Sequence, residues 1–131
     1  MTLSADLAAT KRIPAGQGLS YGHEYVTTQD TIVGLVPIGY ADGIPRSATN
    51  VGPVSLAGVR HTVSGRVCMD QFIVDLGPEN EARAGDVVTL FGSGESGEPT
   101  AQDWAEATGT ISYEIVTRIG ARVSRIHVGG M

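Results

Sequence analysis

Several tyrosines and arginines of this chain stand on turns next to glycine, where their side chains are free to do chemistry. Tyr21, Tyr40 and Arg66 each neighbour a glycine in the sequence. Glycine lets the backbone approach a ligand closely, and turns at strand ends carry side chains out of the core. This pattern predicts a catalytic or binding site and not packing alone.

A tyrosine in such a site suggests acid-base chemistry. An ordinary phenol has a pKa of about 10, so one that acts as a base near neutral pH needs cationic neighbours or hydrogen bonds that lower it. Arg46 and Arg66 could supply part of that charge. The alternative is that Tyr21, Tyr40 and Tyr113 are amphipathic wall residues with hydrogen-bonded hydroxyls.

Composition limits the class of protein. The 131 residues suit one domain, predicted to span 1–131. A domain of this size can form a stable apolar core without disulfides or structural metals. The net charge of −5 and the scattered basic residues argue against nucleic acid as a partner. A single cysteine excludes an internal disulfide, and neither a membrane-length apolar run nor a signal peptide is present. We therefore expect a soluble, cytoplasmic protein without a membrane partner.

Alternating apolar and polar residues between glycine turns predict a mainly β domain, a small barrel or sandwich. Tyr25 lies in one such alternating segment and is interpreted as ordinary packing. Two short helices are expected late in the chain, the first capped by Thr100 and the second ended by Gly120. The predicted strands cover 3–7, 31–37, 54–56, 59–63, 67–76, 86–91 and 122–128, and the predicted helices cover 100–107 and 112–118. The strands at 54–56 and 59–63 are predicted to form a hairpin around Ala57-Gly58.

A glycine-rich run at 92–97 matches the G-x-G-x-x-G pattern of dinucleotide-binding loops. Only 34 residues follow it, too few for the further βαβ units of such a site, and Glu95 would repel a pyrophosphate. We interpret the run as an exposed loop between a strand and a helix.

Cys68 could serve as a nucleophile, but nothing in the sequence pairs it with a histidine base, so a small core or pocket-wall residue is favoured. The three histidines, His23, His61 and His127, stand at no metal-ligand spacing. No metal site is predicted.

Four motifs occur in an order and spacing that closely resemble the C-terminal domain of alanine racemase, and the resemblance runs from Met1 to about Ile126. They are Ser20-Tyr21-Gly22, Gly39-Tyr40-Ala41-Asp42-Gly43, Gly65-Arg66-Val67-Cys68-Met69-Asp70-Gln71 and Ile111-Ser112-Tyr113-Glu114.

That resemblance implies a pyridoxal-phosphate isomerase interconverting L- and D-alanine for bacterial peptidoglycan. Its N-terminal (β/α) barrel carries the cofactor on a lysine, and a mostly β domain follows. Tyr21 resembles the catalytic tyrosine, which exchanges the α-proton on one face of the substrate while the lysine serves the other. Family enzymes are head-to-tail homodimers, so the expected partners are the barrel, a second subunit and an amino-acid substrate.

The other matched positions carry over one at a time. Met69 resembles the residue whose backbone amide meets the substrate carboxylate, and Cys68 flanks it. Asp70, on its other side, is expected to pair with a barrel arginine. Tyr113 resembles the tyrosine near the cofactor phosphate, and Tyr40 narrows the substrate entrance with it. Three more residues of this chain resemble family residues further out along that entrance: Arg46, Arg66 and Ile111.

Lys11 is the one lysine of the chain and belongs to none of the four motifs. A lysine that holds a cofactor needs a dry or cation-flanked pocket, of which the sequence around Lys11 gives no sign. We therefore expect a fragment that is inactive alone and does not bind pyridoxal 5'-phosphate tightly. Two alternatives stay open: a racemase of the same architecture acting on serine or another amino acid, and a non-catalytic β dimerisation module.

Overall fold

The computed structural model describes residues 1–19 and 25–126. Within them the chain forms nine short strands followed by two helices, as the alternation and the late capping signals predict. The strands are β1 Leu3–Asp6, β2 Ala9–Ile13, β3 Gly18–Leu19, β4 Tyr25–Val26, β5 Thr31–Val36, β6 Pro53–Leu56, β7 Val59–Thr62, β8 Phe72–Gly77 and β9 Val87–Phe91; the helices are α1 Ala101–Thr108 and α2 Ser112–Thr117.

All strand pairs are antiparallel and form three sheets. One sheet has the order β1-β9-β6-β7, the second has the order β2-β5-β8, and β3 pairs only with β4. An isolated bridge between Val63 and Val74 connects the first sheet to the second. The described strands do not close into a barrel, so the mainly β prediction is confirmed as an arrangement of open sheets.

The β6–β7 hairpin shows how the turn residues set the register. Ala57 and Gly58 both have positive φ, 51° and 80°, which is the geometry of a two-residue turn that matches strand twist. Leu56 consequently pairs with Val59, and Pro53 pairs with Thr62. The predicted hairpin is therefore confirmed.

One apolar core joins the two larger sheets to the helices. Trp104 of α1 is fully buried, and its indole N–H donates to the Leu90 carbonyl at 2.6 Å. Gly52 leaves room for the ring, because a Cβ there would lie 2.8 Å from it. The site residues thus rest on a packed scaffold.

Thr100 caps α1 as predicted. Its hydroxyl accepts from the Asp103 N–H at 3.1 Å, and the Asp103 carboxylate accepts from the Thr100 N–H at 2.9 Å. These hydrogen bonds hold the pKa of Asp103 below its usual range. The second helix ends at Thr117 with Arg118 as its C-cap, earlier than the predicted stop at Gly120.

Two strand predictions were wrong, and three strands were not predicted. Residues 67–71 form an irregular loop, and only Phe72–Gly77 of the predicted 67–76 strand pairs. Residues 122–126 form no strand, and the end of that prediction lies outside the described residues. β2 was missed, because Thr10, Lys11 and Arg12 give it no apolar alternation. The two-residue strands β3 and β4 were also missed.

Candidate functional site

The candidate site begins where the turn at 39–43 packs against the loop at 66–71. The Tyr40 N–H donates to the Cys68 carbonyl at 3.0 Å, and the Ala41 N–H donates to the Met69 carbonyl at 2.9 Å. The Cys68 N–H donates to the Gln71 carbonyl at 2.9 Å and closes the loop on itself. Two motifs about 25 residues apart in sequence are therefore bound backbone to backbone.

Two glycines make this close approach possible. A Cβ on Gly39 would overlap the carbonyl oxygens of Cys68 and Met69. A Cβ on Gly43 would overlap the Arg118 carbonyl just after α2, and Gly43 also has a φ of 106°. The glycines at both ends of the motif are thus required by contact, one with the loop and one with the helix end.

Tyr40 lies on the exposed side of this turn with Arg46 beside it. The guanidinium carbon of Arg46 is 5.6 Å from the centre of the Tyr40 ring, which is cation–π distance. Thr49 ties the same segment to the loop, since its hydroxyl donates to the Arg46 carbonyl at 2.8 Å and accepts from the Val67 N–H at 3.2 Å. Tyr40 and Arg46, both assigned to the substrate entrance in the sequence analysis, are therefore neighbours in the structure.

A second ionic element, absent from the sequence prediction, spans the turn and the loop. Arg122 Nε lies 3.2 Å from Oδ1 of the buried Asp42, and Arg122 Nη2 donates to Asp70 Oδ1 at 2.9 Å. The hydrogen bond that Arg122 donates to Asp70, together with the charges of both carboxylates, raises the pKa of Arg122. Asp70 thus has a cationic partner within the chain itself.

Met69 presents an unpaired backbone donor. The side chain is half exposed, at 53%, and within the described part of the chain the Met69 N–H makes no hydrogen bond, although its carbonyl does. The neighbouring Asp70 N–H is equally unpaired there. Unpaired amide N–H groups at a fixed turn can donate hydrogen bonds to an anionic ligand such as a carboxylate.

Ile111 and Tyr113 stand at the start of α2 and are strongly exposed, at 63% and 76%. Among residues 1–19 and 25–126, no hydrogen bond, ion pair or ring contact joins either side chain to Tyr40 or Met69. The other end of the helix does meet the turn, at Gly43 and Arg118. Within this one chain, then, no direct interaction joins the two residues to the turn or the loop.

Tyr21, with His23, lies outside the described residues. The strands on either side, β3 and β4, pair Leu19 with Tyr25. The Tyr25 hydroxyl donates to Asp75 Oδ2 at 2.8 Å, and Thr31 donates to Asp75 Oδ1 at 2.5 Å. Burial, with the Asp75 hydrogen bond and charge, raises the pKa of Tyr25, so this phenol is held neutral and does more than pack.

Cys68 is half-buried, with its sulfur 3.7 Å from the Arg66 carbonyl, and Arg66 is itself half-buried on the same loop. Across the described ranges, no three histidine, cysteine, aspartate or glutamate residues are grouped so that they could hold a metal. His127, like His23, lies outside the residues that the structure describes.

Lys11 is exposed in the middle of β2, opposite Val33. Two surface depressions flank the loop at 79–86, and Lys11 lines one of them while no residue of the turn at 39–43 or the loop at 66–71 lines either. Lys11 therefore lies at an open surface away from the candidate site. None of the helices in that part is long and apolar enough to span a membrane.

Sequence reasoning missed Asp42 and Arg122. Asp42 lies between glycines in a motif already singled out, and a carboxylate in so tight a turn is a signal for a hydrogen-bonded or paired role. Arg122 carried no such signal, because its partners are 80 and 52 residues away in sequence.

Comparison with known proteins identifies the family of the chain. Residues 1–127 match the family model described as alanine racemase, C-terminal domain. The alanine racemase of Beutenbergia cavernae is 60% identical over 130 residues, covering 99% of this chain and 34% of that protein. The alanine racemase of Salinispora arenicola is 61% identical, covering 98% of this chain and 35% of its own length.

Solved structures agree at the level of the fold. Alanine racemase from Streptomyces coelicolor A3(2) superposes with a TM-score of 0.95 at 58% identity, over 98% of this chain and 33% of that one. The Oenococcus oeni enzyme gives a TM-score of 0.88 at 34% identity, over 95% of this chain and 34% of that one. The chain spans about a third of the length of these relatives. It belongs to the alanine racemase family, in which it corresponds to the C-terminal domain.

Proposed function

We propose that this domain serves a pyridoxal-phosphate-dependent alanine racemase, an isomerase that interconverts L- and D-alanine. In that enzyme it contributes the acid-base tyrosine, Tyr21, and the loop that binds the substrate carboxylate. The observation that carries the proposal is the turn-to-loop junction, which fixes Tyr40 and Met69 together on an exposed surface. An exposed site with fixed backbone donors suits a domain that completes a pocket formed elsewhere.

The cofactor belongs to the rest of the enzyme. Pyridoxal 5'-phosphate, when bound there, acts as the electron sink that lowers the cost of removing the α-proton. The one lysine of this chain is exposed on β2, and Tyr113 projects from the start of α2. The domain therefore fits a position beside the cofactor and does not enclose it. In this proposal Tyr113 lies near the cofactor phosphate.

Each residue of the site then has a role at the substrate. Tyr21 gives and takes the α-proton on one face, and inversion requires a second base on the other face, since one base alone would return the proton to the side it left. The unpaired Met69 N–H holds the substrate carboxylate. Cys68 and Asp70 flank that amide.

The entrance to the site is proposed to lie along Tyr40, Arg46, Arg66, Tyr113 and Ile111. Exposed aromatic and cationic side chains on a rigid turn can guide a small zwitterion, and Arg46 already stacks on Tyr40. The domain is proposed to act in the partner subunit of a homodimer, where two-fold symmetry makes the exchange reciprocal. Asp70 keeps one oxygen for an arginine of the barrel.

A substrate panel tests the proposal. The full-length protein that carries this domain, loaded with pyridoxal phosphate, should racemise alanine with a higher kcat/KM than serine or any other amino acid, measured by chiral chromatography of the products. A preference for serine would identify a racemase of the same architecture with another substrate. Absence of racemisation of every amino acid in the panel would favour the non-catalytic β module.

A further inference from the structure

Arg122 occupies a position that the proposed function does not use. It lies beyond α2, in the segment after Gly120, whose N–H donates to the Asp42 carbonyl at 2.8 Å. From there its guanidinium reaches two carboxylates, Asp42 through Nε and Asp70 through Nη2. One side chain therefore connects the C-terminal segment, the turn and the loop.

The two carboxylates differ in what they need from the cation. Asp42 is buried, with a side chain 8% exposed, and its Oδ2 already accepts from the Gly39 N–H at 3.1 Å. Asp70 is 59% exposed, and in the described part of the chain its Oδ2 makes no hydrogen bond. Asp42 thus fixes the guanidinium, and the guanidinium fixes Asp70 by one oxygen while the other stays available.

Energy considerations favour a role in geometry over one in stability. Exposed ion pairs contribute little to folding, and the Asp70 pair is exposed on both sides. A planar guanidinium with two nitrogens committed to two carboxylates does, however, restrict the orientation of both. The residue preceding Asp70 is Met69, whose amide is unpaired.

We propose that Arg122 is a positioning residue for the substrate carboxylate: by binding Asp42 and Asp70 together it holds the backbone at 68–70, so that the N–H of the 68–69 peptide, which is the Met69 N–H, faces the substrate. The inference rests on the proposed function. It also predicts that Asp70 binds two cations in the whole enzyme: Arg122 through Oδ1, and the arginine of the barrel through Oδ2.

The test uses Arg122→Lys in the full-length holoenzyme. Lysine keeps the positive charge beside Asp42 but has a single nitrogen, which cannot satisfy both carboxylates with the geometry of the guanidinium. Loss of one charge-assisted hydrogen bond corresponds to a rise of about tenfold in KM for alanine, with kcat within about threefold. The inhibition constant of propionate, which is alanine without its amino group, should rise by the same factor.

Arg118→Lys is the matched control. Arg118 is also exposed and paired, with Glu114 at 3.4 Å, but contacts neither Asp42 nor Asp70 through its side chain. Its KM and propionate inhibition constant should equal those of the wild type. An Asp70→Asn variant adds a second check, because Arg122→Lys should change KM no further in that background if it acts through Asp70.

Each outcome decides between the two claims. An active wild type in which Arg122→Lys matches Arg118→Lys in both KM and propionate binding overturns the role of Arg122 and leaves the proposed function intact. A lower melting temperature with reduced kcat and unchanged KM assigns Arg122 to structure alone and also overturns it. A wild type that racemises no amino acid overturns both.

Discussion

Tyr40 is bound to Cys68 through its backbone, N–H to carbonyl at 3.0 Å, while its ring lies outside on the surface beside Arg46. The residue is therefore fixed by the main chain and leaves its phenol free for the site. Precise placement of a side chain depends on such support from its own backbone and neighbours.

The junction between turn and loop should be sensitive to a single methyl group at Gly39. We expect Gly39→Ala to lower the free energy of unfolding by about 2–3 kcal/mol, because its Cβ would overlap two carbonyl oxygens. Gly39 has a φ of −147°, so backbone strain adds nothing. Urea denaturation of this domain measures the change.

Gly120→Ala is the control for that substitution. A Cβ at Gly120 would lie 3.6 Å from the Ala41 and Asp42 carbonyl oxygens, an ordinary contact beside the same turn. Its effect should stay within about 0.5 kcal/mol. Equal effects of the two alanines would contradict the close approach at Gly39.

His61 should make the stability of the domain depend on pH. Its Nε2 is buried without a hydrogen bond in the described structure, and burial lowers the pKa of His61, although the Asp75 charge opposes this. Below about pH 6.5 His61 therefore binds a proton in the unfolded chain but stays neutral in the folded domain. The contribution of His61 to the free energy of unfolding is fully present above that pH and is lost as the pH falls toward the lower pKa of the folded state.

The measurement compares unfolding free energies at pH 7.5 and pH 5.5 for the wild type and His61→Gln. The slope due to His61 can reach at most about 1.4 kcal/mol per pH unit, and the glutamine variant should lack it. Identical slopes in the two proteins would show that His61 titrates alike in both states.

Tyr25 should ionise at higher pH than an ordinary tyrosine. Its pKa is raised by burial and by the hydrogen bond and charge of Asp75, so the neutral phenol stabilises the fold up to about pH 10 and loses that contribution as the pH rises through the folded pKa. The difference in absorbance at 295 nm between wild type and Tyr25→Phe reports this titration. In an Asp75→Asn background the same difference should move toward about pH 10, and an unmoved curve would exclude Asp75 as a cause.

Lys11 should not capture the cofactor. It is exposed on β2, whereas a lysine that holds a cofactor needs a dry or cation-flanked pocket. Borohydride reduction of this domain with pyridoxal phosphate should leave Lys11 without a stoichiometric adduct, as peptide mass spectrometry can measure. A full adduct at Lys11 would contradict the placement of the cofactor outside this domain.

Local signals predicted much of the fold. The Thr100 cap and the Ala57-Gly58 turn follow from short-range chemistry and were confirmed. Residues 67–71 were predicted as the first part of the strand that β8 completes, whereas contacts with the distant turn at Gly39 hold that backbone in a loop. Alternation cannot report a long-range contact of this kind.

The site was predictable in its residue types and not in its connections. Tyr40 and Arg46 were expected together and are stacked. The pairing of Asp70 with Arg122 depends on where the segment after α2 returns, which no local pattern encodes. Tyr25 was assigned to packing because the residue that binds its hydroxyl, Asp75, comes from another sheet.

The central claim is that Tyr21 is the acid-base group on one face of the substrate. Tyr25→Phe is the matched control, because it removes a phenol from the same segment that is committed to Asp75. Both variants are made in the full-length holoenzyme, and exchange of the α-proton is followed by NMR in deuterated water, starting separately from L- and D-alanine.

The decisive result is the ratio of the two exchange rates. Tyr21→Phe should slow exchange from one enantiomer by at least about 100-fold, the usual contribution of a general acid-base group, while exchange from the other persists. Tyr25→Phe should leave the ratio unchanged. Equal loss from both enantiomers in Tyr21→Phe, or no loss from either, would contradict the assignment of Tyr21.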